Sequence, residues 1–115
     1  MTTLFAYKLL DPAAFKAWKE SGTYTGSPDD ARDGFIHLST AEQTAETAAK
    51  YFSDMDPVVL AMVDLAAVRE TVKWEESRGG ALFPHVYGAI PYKAVSGHSV
   101  LRLDADGRHV FPQGF

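Results

Sequence analysis

The first apolar run of the chain, residues 3–10, is rich in aliphatic and aromatic side chains and predicts a β-strand. Asp11 and Pro12 follow it and indicate a helix start, because Asp can accept hydrogen bonds from free amides and Pro suits the first helical position. Gly22 stands where helices commonly end. The opening pattern therefore predicts a strand followed by one helix.

Residues 23–33 contain Gly, Ser, Pro and four charged side chains, a composition typical of an exposed loop. The segment Gly34–Ser39 then predicts a second strand. Its alternation places Ile36 and Leu38 on one face, with His37 and its neighbours at positions 35 and 39 on the other face. His37 and Ser39 are thus expected to point the same way.

The segment Ser39-Thr40-Ala41-Glu42 fits a capping box and predicts a second helix that begins directly after the strand. Small and apolar residues recur at helical spacing from Ala41 to Phe52. Val58–Leu65 predicts the next strand. Since both faces of this strand are apolar, we expect it to be central in a sheet and covered on both sides.

The last part of the chain has a less regular pattern. Leu65–Glu70 predicts a short turn or helix, and Thr71–Glu76 predicts a strand. Phe83–Val95 contains two prolines and a glycine, so we expect it to be irregular. Residues 99–104 and 109–111 flank an Asp-Gly pair and predict a hairpin. Together these elements predict one α+β domain over residues 1–115, with a mostly antiparallel sheet and two main helices.

Composition narrows the class of protein. The 115 residues include no cysteine, which excludes a disulfide scaffold, a thiol nucleophile and a cysteine-ligated metal. The net charge is −4 and the basic residues are scattered, so we expect no duplex nucleic-acid partner. No apolar run is long enough to span a membrane, and no signal peptide is recognisable. We therefore expect a cytoplasmic protein without a membrane partner.

Two histidines lie in similar apolar settings beside a glycine: His37 within Asp33–Thr40 and His85 within Phe83–Gly88. Histidine is the side chain whose unperturbed pKa lies nearest neutrality. This repetition predicts one shared site that both rings face. The alternative for His37 is a structural role in which its ring bonds a backbone carbonyl.

The predicted helix start beside His37 is a candidate anion site, since free amides and the positive end of the helix dipole attract phosphates and carboxylates. Ser39, Thr40 and Gln43 would supplement those amides as ligand-binding residues. The alternative is that Ser39 only caps the helix. The predicted partner is a small molecule, anionic or nucleotide-like.

The surroundings of His85 indicate a stacking pocket. Phe83 and Tyr87 flank the histidine, and aromatic side chains stack on a base or a nicotinamide ring. An ordinary aromatic core under a loop is the alternative. Glu75, beside Trp74, is the candidate acid or base, although an exposed pairing with Lys73 would equally explain it.

A metal site is a weaker prediction. His37, His85 and Glu75 would make a two-histidine, one-carboxylate set, but they come from separate segments without a fixed ligand spacing. Phosphate-loop, dinucleotide-binding and esterase-elbow motifs are absent from the sequence. We accordingly name no metal ligand.

The combination of Asp33-Gly-Phe-Ile-His-Leu-Ser-Thr40, Gln43, Lys73-Trp74-Glu75 and Phe83-Pro-His-Val-Tyr-Gly88 resembles the bacterial domain of unknown function 952 family. The early Tyr7-Lys8 pair and the Trp18 helix add to the likeness, which spans nearly the whole chain. The resemblance implies a compact fold similar to the ADP-ribosyltransferase superfamily. Enzymes of that superfamily bind NAD in a cleft between two small sheets.

By that likeness, His37 would contact a ribose with Ser39 nearby, Tyr87 or Phe83 would stack on nicotinamide, and Glu75 is the acidic candidate. The function that follows is an enzyme, or a degenerate relative of one, that uses NAD or a related nucleotide as substrate in glycosyl or phosphoryl transfer. His37, His85 and Glu75 are its candidate catalytic residues. The alternatives are a non-catalytic binding module for an anionic metabolite and a metal-dependent enzyme.

Overall fold

The computed structural model describes residues 3–115, and its largest sheet is built around the apolar strand of the middle of the chain. Strand β4 (Val58–Asp64) pairs antiparallel with β1 (Phe5–Leu10) on one side and with β8 (Val95–Leu101) on the other. Val58, Ala61 and Val63 are fully buried. The sequence prediction of a central strand covered on both faces is confirmed.

Helix α1 (Pro12–Ser21) begins and ends at the predicted residues. The Asp11 side chain accepts a hydrogen bond from the backbone amide of Ala14 at 2.7 Å. Gly22 ends the helix with φ of +85°, a left-handed conformation that glycine adopts without steric cost. The buried Trp18 indole donates to the carbonyl of Ile90 at 3.0 Å, which ties α1 to the distant end of the chain.

The segment 23–33 is not the exposed loop that its polar composition predicted. It contains a short strand β2 (Thr23–Tyr24), which pairs with β7 (Ile90–Pro91), and a six-residue helix α2 (Pro28–Asp33). Ser27 and Asp30 form a reciprocal capping box at the start of α2, the motif that decides the helix. Asp30 is buried, because α2 turns it inward.

A second three-stranded antiparallel sheet consists, in spatial order, of β3 (Ile36–His37), β6 (Leu82–Val86) and β5 (Val72–Glu76). Strand β3 is only Ile36–His37, shorter than the predicted Gly34–Ser39, because Ser39 instead exchanges two backbone hydrogen bonds with Tyr7 of β1. The central strand β6 (Leu82–Val86) lies where an irregular segment was expected. Pro84 removes one donor from β6, but its carbonyl still accepts from the Leu38 amide at 3.0 Å.

Helix α3 (Ala41–Tyr51) begins one residue later than the sequence pattern indicated. The backbone amide of Thr40, not Ser39, lies at the cap and donates to the Gln43 side chain at 3.0 Å. Strand β5 (Val72–Glu76) and the 3₁₀ turn Leu65–Val68 match their predictions. Further 3₁₀ turns span Arg78–Gly80 and Tyr92–Ala94.

The predicted C-terminal hairpin is reduced to an isolated bridge between Leu103 and His109. The architecture is α+β with antiparallel sheets, as expected, but the described part of the chain has three α-helices rather than two main ones. Within residues 3–115, no helix has the length and apolar character needed to cross a bilayer.

Candidate functional site

A cavity of about 210 Å³ lies between strand β1 of the first sheet and strands β3 and β6 of the second. It is called here the histidine cavity, because both His37 and His85 line it. The described lining residues also include aromatic, hydroxyl and charged side chains, among them Tyr7, Lys8, Ser27, Asp29, Asp30, Arg32, Asp33, Ser39, Thr47, Tyr51, Phe52, Ser77 and Phe83. The cavity therefore draws on both sheets and on α2.

The His37 ring is held between two carboxylates of α2. Its Nδ1 lies 2.6 Å from Asp30 Oδ1, and its Nε2 lies 2.9 Å from Asp33 Oδ2. Ionised carboxylates only accept hydrogen bonds. The ring therefore faces a carboxylate oxygen at each nitrogen, which differs from the single bond to a backbone carbonyl expected of a structural histidine.

Asp30 is the centre of a buried polar network. Its carboxylate accepts from Lys8 Nζ at 2.8 and 3.1 Å, and from the backbone amides of Ser27 at 2.8 Å and His37 at 3.2 Å. Burial alone would raise the pKa of the Asp30 carboxyl, but the hydrogen bond from His37 and the charge of Lys8 hold that pKa well below its usual range. Asp30 is consequently a fixed anion at neutral pH.

Lys8 completes this network from the opposite sheet. It lies on the same face of β1 as the core residues Ala6 and Leu10, and its side chain is 6% exposed. Burial lowers the pKa of the Lys8 ammonium, against the opposing attraction of Asp30. Nζ also donates to the His37 carbonyl at 3.1 Å, so Lys8 and Asp30 together contact both the backbone and the ring of His37.

His85 has a different environment, although it lies directly across from His37 in the β3–β6 register. Its Nδ1 lies 2.7 Å from Glu75 Oε1, and the Tyr87 hydroxyl donates to the same oxygen at 2.8 Å. These hydrogen bonds hold the pKa of the Glu75 carboxyl below its usual value. The His85 side chain is only 5% exposed, whereas that of Glu75 is 38% exposed.

The two histidine rings are close neighbours, with centroids 5.6 Å apart and planes nearly perpendicular. Phe35 stacks on His85 at 4.0 Å and also contacts the His37 ring at 4.6 Å. Both histidines line one cavity, as their similar sequence settings predicted. The half-buried Phe35 contacts both rings and limits their movement.

The predicted helix-start residues divide into two groups. Ser39 lines the histidine cavity, and its hydroxyl lies 3.2 Å from that of Thr47. Thr40 and Gln43 are not among the described lining residues. The Gln43 side chain instead caps α3 through Oε1, which accepts from the Thr40 amide, and it donates from Nε2 to the Leu82 carbonyl at 2.8 Å. The geometry does not bring these two side chains to the cavity.

The other candidates are also divided. Phe83 lines the histidine cavity, whereas Tyr87 and Glu75 are not among its described lining residues and are joined to His85 through the Glu75 carboxylate. The ring centroids of Tyr87 and Phe35 are 5.3 Å apart, and the Lys73 ammonium lies 4.9 Å from the Tyr87 ring centroid. Glu75 therefore meets His85, as the shared-site prediction requires, but reaches the cavity only through that histidine.

Four residues of the site were not predicted from the sequence as site residues: Lys8, Asp30, Asp33 and Phe35. Local signals were present for Lys8 and Asp30. A lysine interrupts the apolar face of β1, and Ser27-Pro28-Asp29-Asp30 has the spacing of a capped helix start. Their meeting at His37 depends on packing between β1 and α2, which neither local pattern indicates.

Metal binding gains no support from the geometry. Within residues 3–115, no group of three or more His, Asp or Glu side chains is arranged to hold a metal ion. The Nδ1 atoms of His37 and His85 are engaged by carboxylates instead. Of the set of His37, His85 and Glu75, only His85 and Glu75 are joined by a hydrogen bond, and His37 meets His85 through a ring–ring contact.

The fold and site define an α+β domain in which two three-stranded antiparallel sheets border a cavity lined by a pair of histidines. The chain belongs to the family described as "Protein of unknown function (DUF952)", whose model matches residues 9–98. The resemblance to domain of unknown function 952 is thereby confirmed.

Solved structures of a relative have the same fold. The crystal structure of protein CC0527 from Caulobacter crescentus is 45% identical, covers 92% of this chain and 93% of its own, and superposes with a TM-score of 0.88. The solution NMR structure of CC0527 is 46% identical, covers 90% of each chain, and has a TM-score of 0.81. No curated protein matches the sequence.

Proposed function

We propose that this protein is an enzyme that binds NAD or a related nucleotide in the histidine cavity and transfers a glycosyl group from it, with His85 as the base. The observation that carries the proposal is the unpartnered Nε2 atom of His85. Nδ1 is bonded to Glu75, and the side chain is 95% buried and lines the cavity. Among the side chains that the structure describes, none forms a hydrogen bond with Nε2.

An unpartnered nitrogen in such a position favours a ligand. Buried polar atoms in native proteins are nearly always hydrogen-bonded, so an exception calls for an explanation. Because the Glu75 carboxylate accepts the Nδ1 proton, a ring with no second proton carries its lone pair on Nε2. That is the arrangement a general base requires, provided that a substrate hydroxyl comes within hydrogen-bond reach.

The position and size of the cavity support a nucleotide. A cleft between two small sheets is where the ADP-ribosyltransferase-like resemblance implies an NAD site, and the histidine cavity has such a position. Its volume of about 210 Å³ is below the range of about 300–1,000 Å³ that encloses a whole drug-sized ligand. One nucleoside half of NAD would be enclosed, with the remainder outside.

The charges of the described lining residues favour glycosyl over phosphoryl transfer. Lys8 is paired with Asp30, and Arg32 is paired with Asp29 and Asp33, so neither cation is free to neutralise a transferring phosphate. A glycosyl transfer needs no such free cation, because its transition state is positively charged and oxocarbenium-like. The anionic phosphates of the nucleotide would accordingly lie outside the cavity.

In the proposed reaction, the His85 Nε2 atom removes the proton of a water molecule or hydroxyl group. The oxygen bonds to the ribosyl carbon as the bond from that carbon to nicotinamide breaks. Nicotinamide leaves with the bonding electron pair as a neutral molecule, so the step needs no proton donor. Glu75 orients the His85 ring and stabilises its protonated form.

The test combines calorimetry with an assay of nicotinamide release. NAD and ADP-ribose are titrated into the wild-type protein and into His85→Gln, and NAD breakdown is followed by NMR spectroscopy. We expect binding by the wild-type protein, with turnover that falls at least about 10²-fold in His85→Gln. His98→Gln is the matched control, since His98 is exposed on β8 and outside the histidine cavity. Absence of binding by both nucleotides would refute the proposal.

A non-catalytic binding module is the second candidate, because both nitrogens of His37 already face carboxylate oxygens within 3 Å and Glu75 is not among the described lining residues of the cavity. Such a module would bind ADP-ribose or NAD without consuming it. Tight binding by the wild-type protein together with unchanged NAD after prolonged incubation would favour this reading over the enzyme.

A further inference from the structure

We propose that the two histidines have fixed and opposite hydrogen-bonding roles, in which His37 donates from both ring nitrogens and His85 presents an acceptor. We further propose that the buried Lys8–Asp30 pair is the positioning unit for His37. The assignment of the rings depends on the site geometry alone. Only its consequence for a ligand rests on the proposed function.

The donor role of His37 follows from the two acceptors that face it. Asp30 Oδ1 lies 2.6 Å from Nδ1, and Asp33 Oδ2 lies 2.9 Å from Nε2. A neutral ring with its proton on Nδ1 would place the Nε2 lone pair against a carboxylate oxygen, and two acceptors at this separation repel each other. The hydrogen bond from Arg32 lowers the pKa of the Asp33 carboxyl, and His37 adds to the lowering, so Asp33 remains an acceptor.

The Lys8–Asp30 pair fixes where this donor points. Asp30 accepts from the His37 amide and from the ring Nδ1, while Lys8 donates to the His37 carbonyl. The strand segment and the ring are therefore held by one ion pair, whose side chains are 6% and 2% exposed. A buried ion pair is poor evidence for stability, because apolar side chains of similar size often replace such a pair without loss. Its contacts with His37 explain its presence on an otherwise apolar strand face.

His85 is the opposite case. One carboxylate, Glu75, faces its Nδ1, and the stacked Phe35 ring at 4.0 Å offers no hydrogen-bond acceptor in its plane. Lys73 lies across from His85 in the β5–β6 register, with its ammonium against the Tyr87 ring. A neutral ring with its proton on Nδ1 satisfies every contact. Nε2 is then an acceptor on a side chain that is 95% buried and lines the histidine cavity.

The opposite hydrogen-bonding roles of the two rings specify which kind of ligand group fits at each ring. A group opposite His85 must be a hydrogen-bond donor, such as a hydroxyl. A group opposite His37 must be a hydrogen-bond acceptor. It would replace Asp33, whose side chain is 32% exposed, as the acceptor facing His37 Nε2. A ribosyl hydroxyl beside a ring or carbonyl oxygen meets both requirements.

The test reads the ring protons directly. Long-range ¹H–¹⁵N spectra of the ¹⁵N-labelled full chain at pH 7 distinguish doubly protonated rings from each neutral tautomer. We expect His37 to be protonated on both nitrogens and His85 on Nδ1 alone. A neutral His37 or a doubly protonated His85 in the wild-type protein would overturn the assignment, and this spectrum needs no variant.

Asp30→Asn tests the positioning role. We expect loss of the second ring proton of His37, with the His85 tautomer unchanged. Asp29→Asn is the matched control, because Asp29 lies in the same helix, is 67% exposed and pairs with Arg32. A doubly protonated His37 in Asp30→Asn, or an equal change in both variants, would overturn the role of Asp30. If the nucleotides fail to bind while the spectra match, the proposed function fails and the ring assignment stands.

Discussion

At the scale of single residues, Asp30 makes the most hydrogen bonds of any side chain in the site. Its carboxylate is also the least exposed carboxylate there. One side chain accepts from Lys8, from the His37 ring and from two backbone amides. Gly26 makes this approach possible. A Cβ at position 26 would lie 2.8 Å from the Cβ of Asp30, and its φ of +114° suits only glycine. The network is therefore built from the backbone of one turn as well as from charged side chains.

The effect of Asp30 on stability is large and separable from that of its neighbour. Asp30→Ala leaves the Lys8 ammonium buried without its partner, so we expect the free energy of unfolding to fall by about 3–5 kcal/mol. Asp29→Ala changes an exposed surface pair and should alter that free energy by less than about 0.5 kcal/mol. Urea denaturation of the two variants measures the difference. Equal effects would show that the buried pair contributes no more than the surface pair.

At the scale of elements, only one face of strand β5 contacts the histidine site. Glu75 and Lys73 lie on the face that meets His85 and Tyr87, whereas Glu76 pairs in register with Leu82 on the other face. The alternation of a strand decides which carboxylate contacts the histidine. One residue of register shift would exchange the two.

This parity predicts different effects for two adjacent carboxylates. Glu75→Gln keeps the shape of the side chain but removes the charge that stabilises protonated His85, so we expect kcat for nicotinamide release to fall about 10²-fold. Glu76→Gln is the control and should leave kcat unchanged. Thermal unfolding of both variants shows whether folding is preserved. A larger loss in Glu76→Gln would mean that the other face of β5 serves the site.

At the scale of the whole molecule, the site depends on strand β6 as the link between the histidines and Glu75. Val86 of β6 is fully buried and pairs with Ile36 of β3 and Val72 of β5. On the other side of the cavity, β1 supplies Lys8, and its Tyr7 bonds Ser39 through the backbone. The cavity exists because the two sheets approach at this position.

Val86→Ala tests that link. Removing two buried methyl groups at about 0.8 kcal/mol each, and leaving a cavity, should lower the free energy of unfolding by about 2 kcal/mol. Val100 of β8 is 53% exposed. Val100→Ala should therefore change the free energy of unfolding by less than about 0.5 kcal/mol. Chemical denaturation of both variants gives the comparison. Equal losses would show that β6 is not a centre of packing.

The sequence by itself determined the elements whose signals are local. The Asp11-Pro12 start and Gly22 end of α1, and the apolar central strand β4, depend on capping chemistry and side-chain periodicity. The similar settings of His37 and His85 also indicated one shared site. Each of these conclusions uses residues that are close in the chain or patterns that repeat within it.

Only the tertiary structure decided what the histidines contact. Lys8 and Asp30 are 22 residues apart, and their pairing depends on α2 packing against β1, so a polar segment that looked like a loop became part of the site. Pro84 lies in a central strand because its carbonyl accepts from the Leu38 amide, directly after β3, and its missing amide is not needed there. Hydrogen bonds between distant segments have no local signature, and they fix the environment and role of each ring.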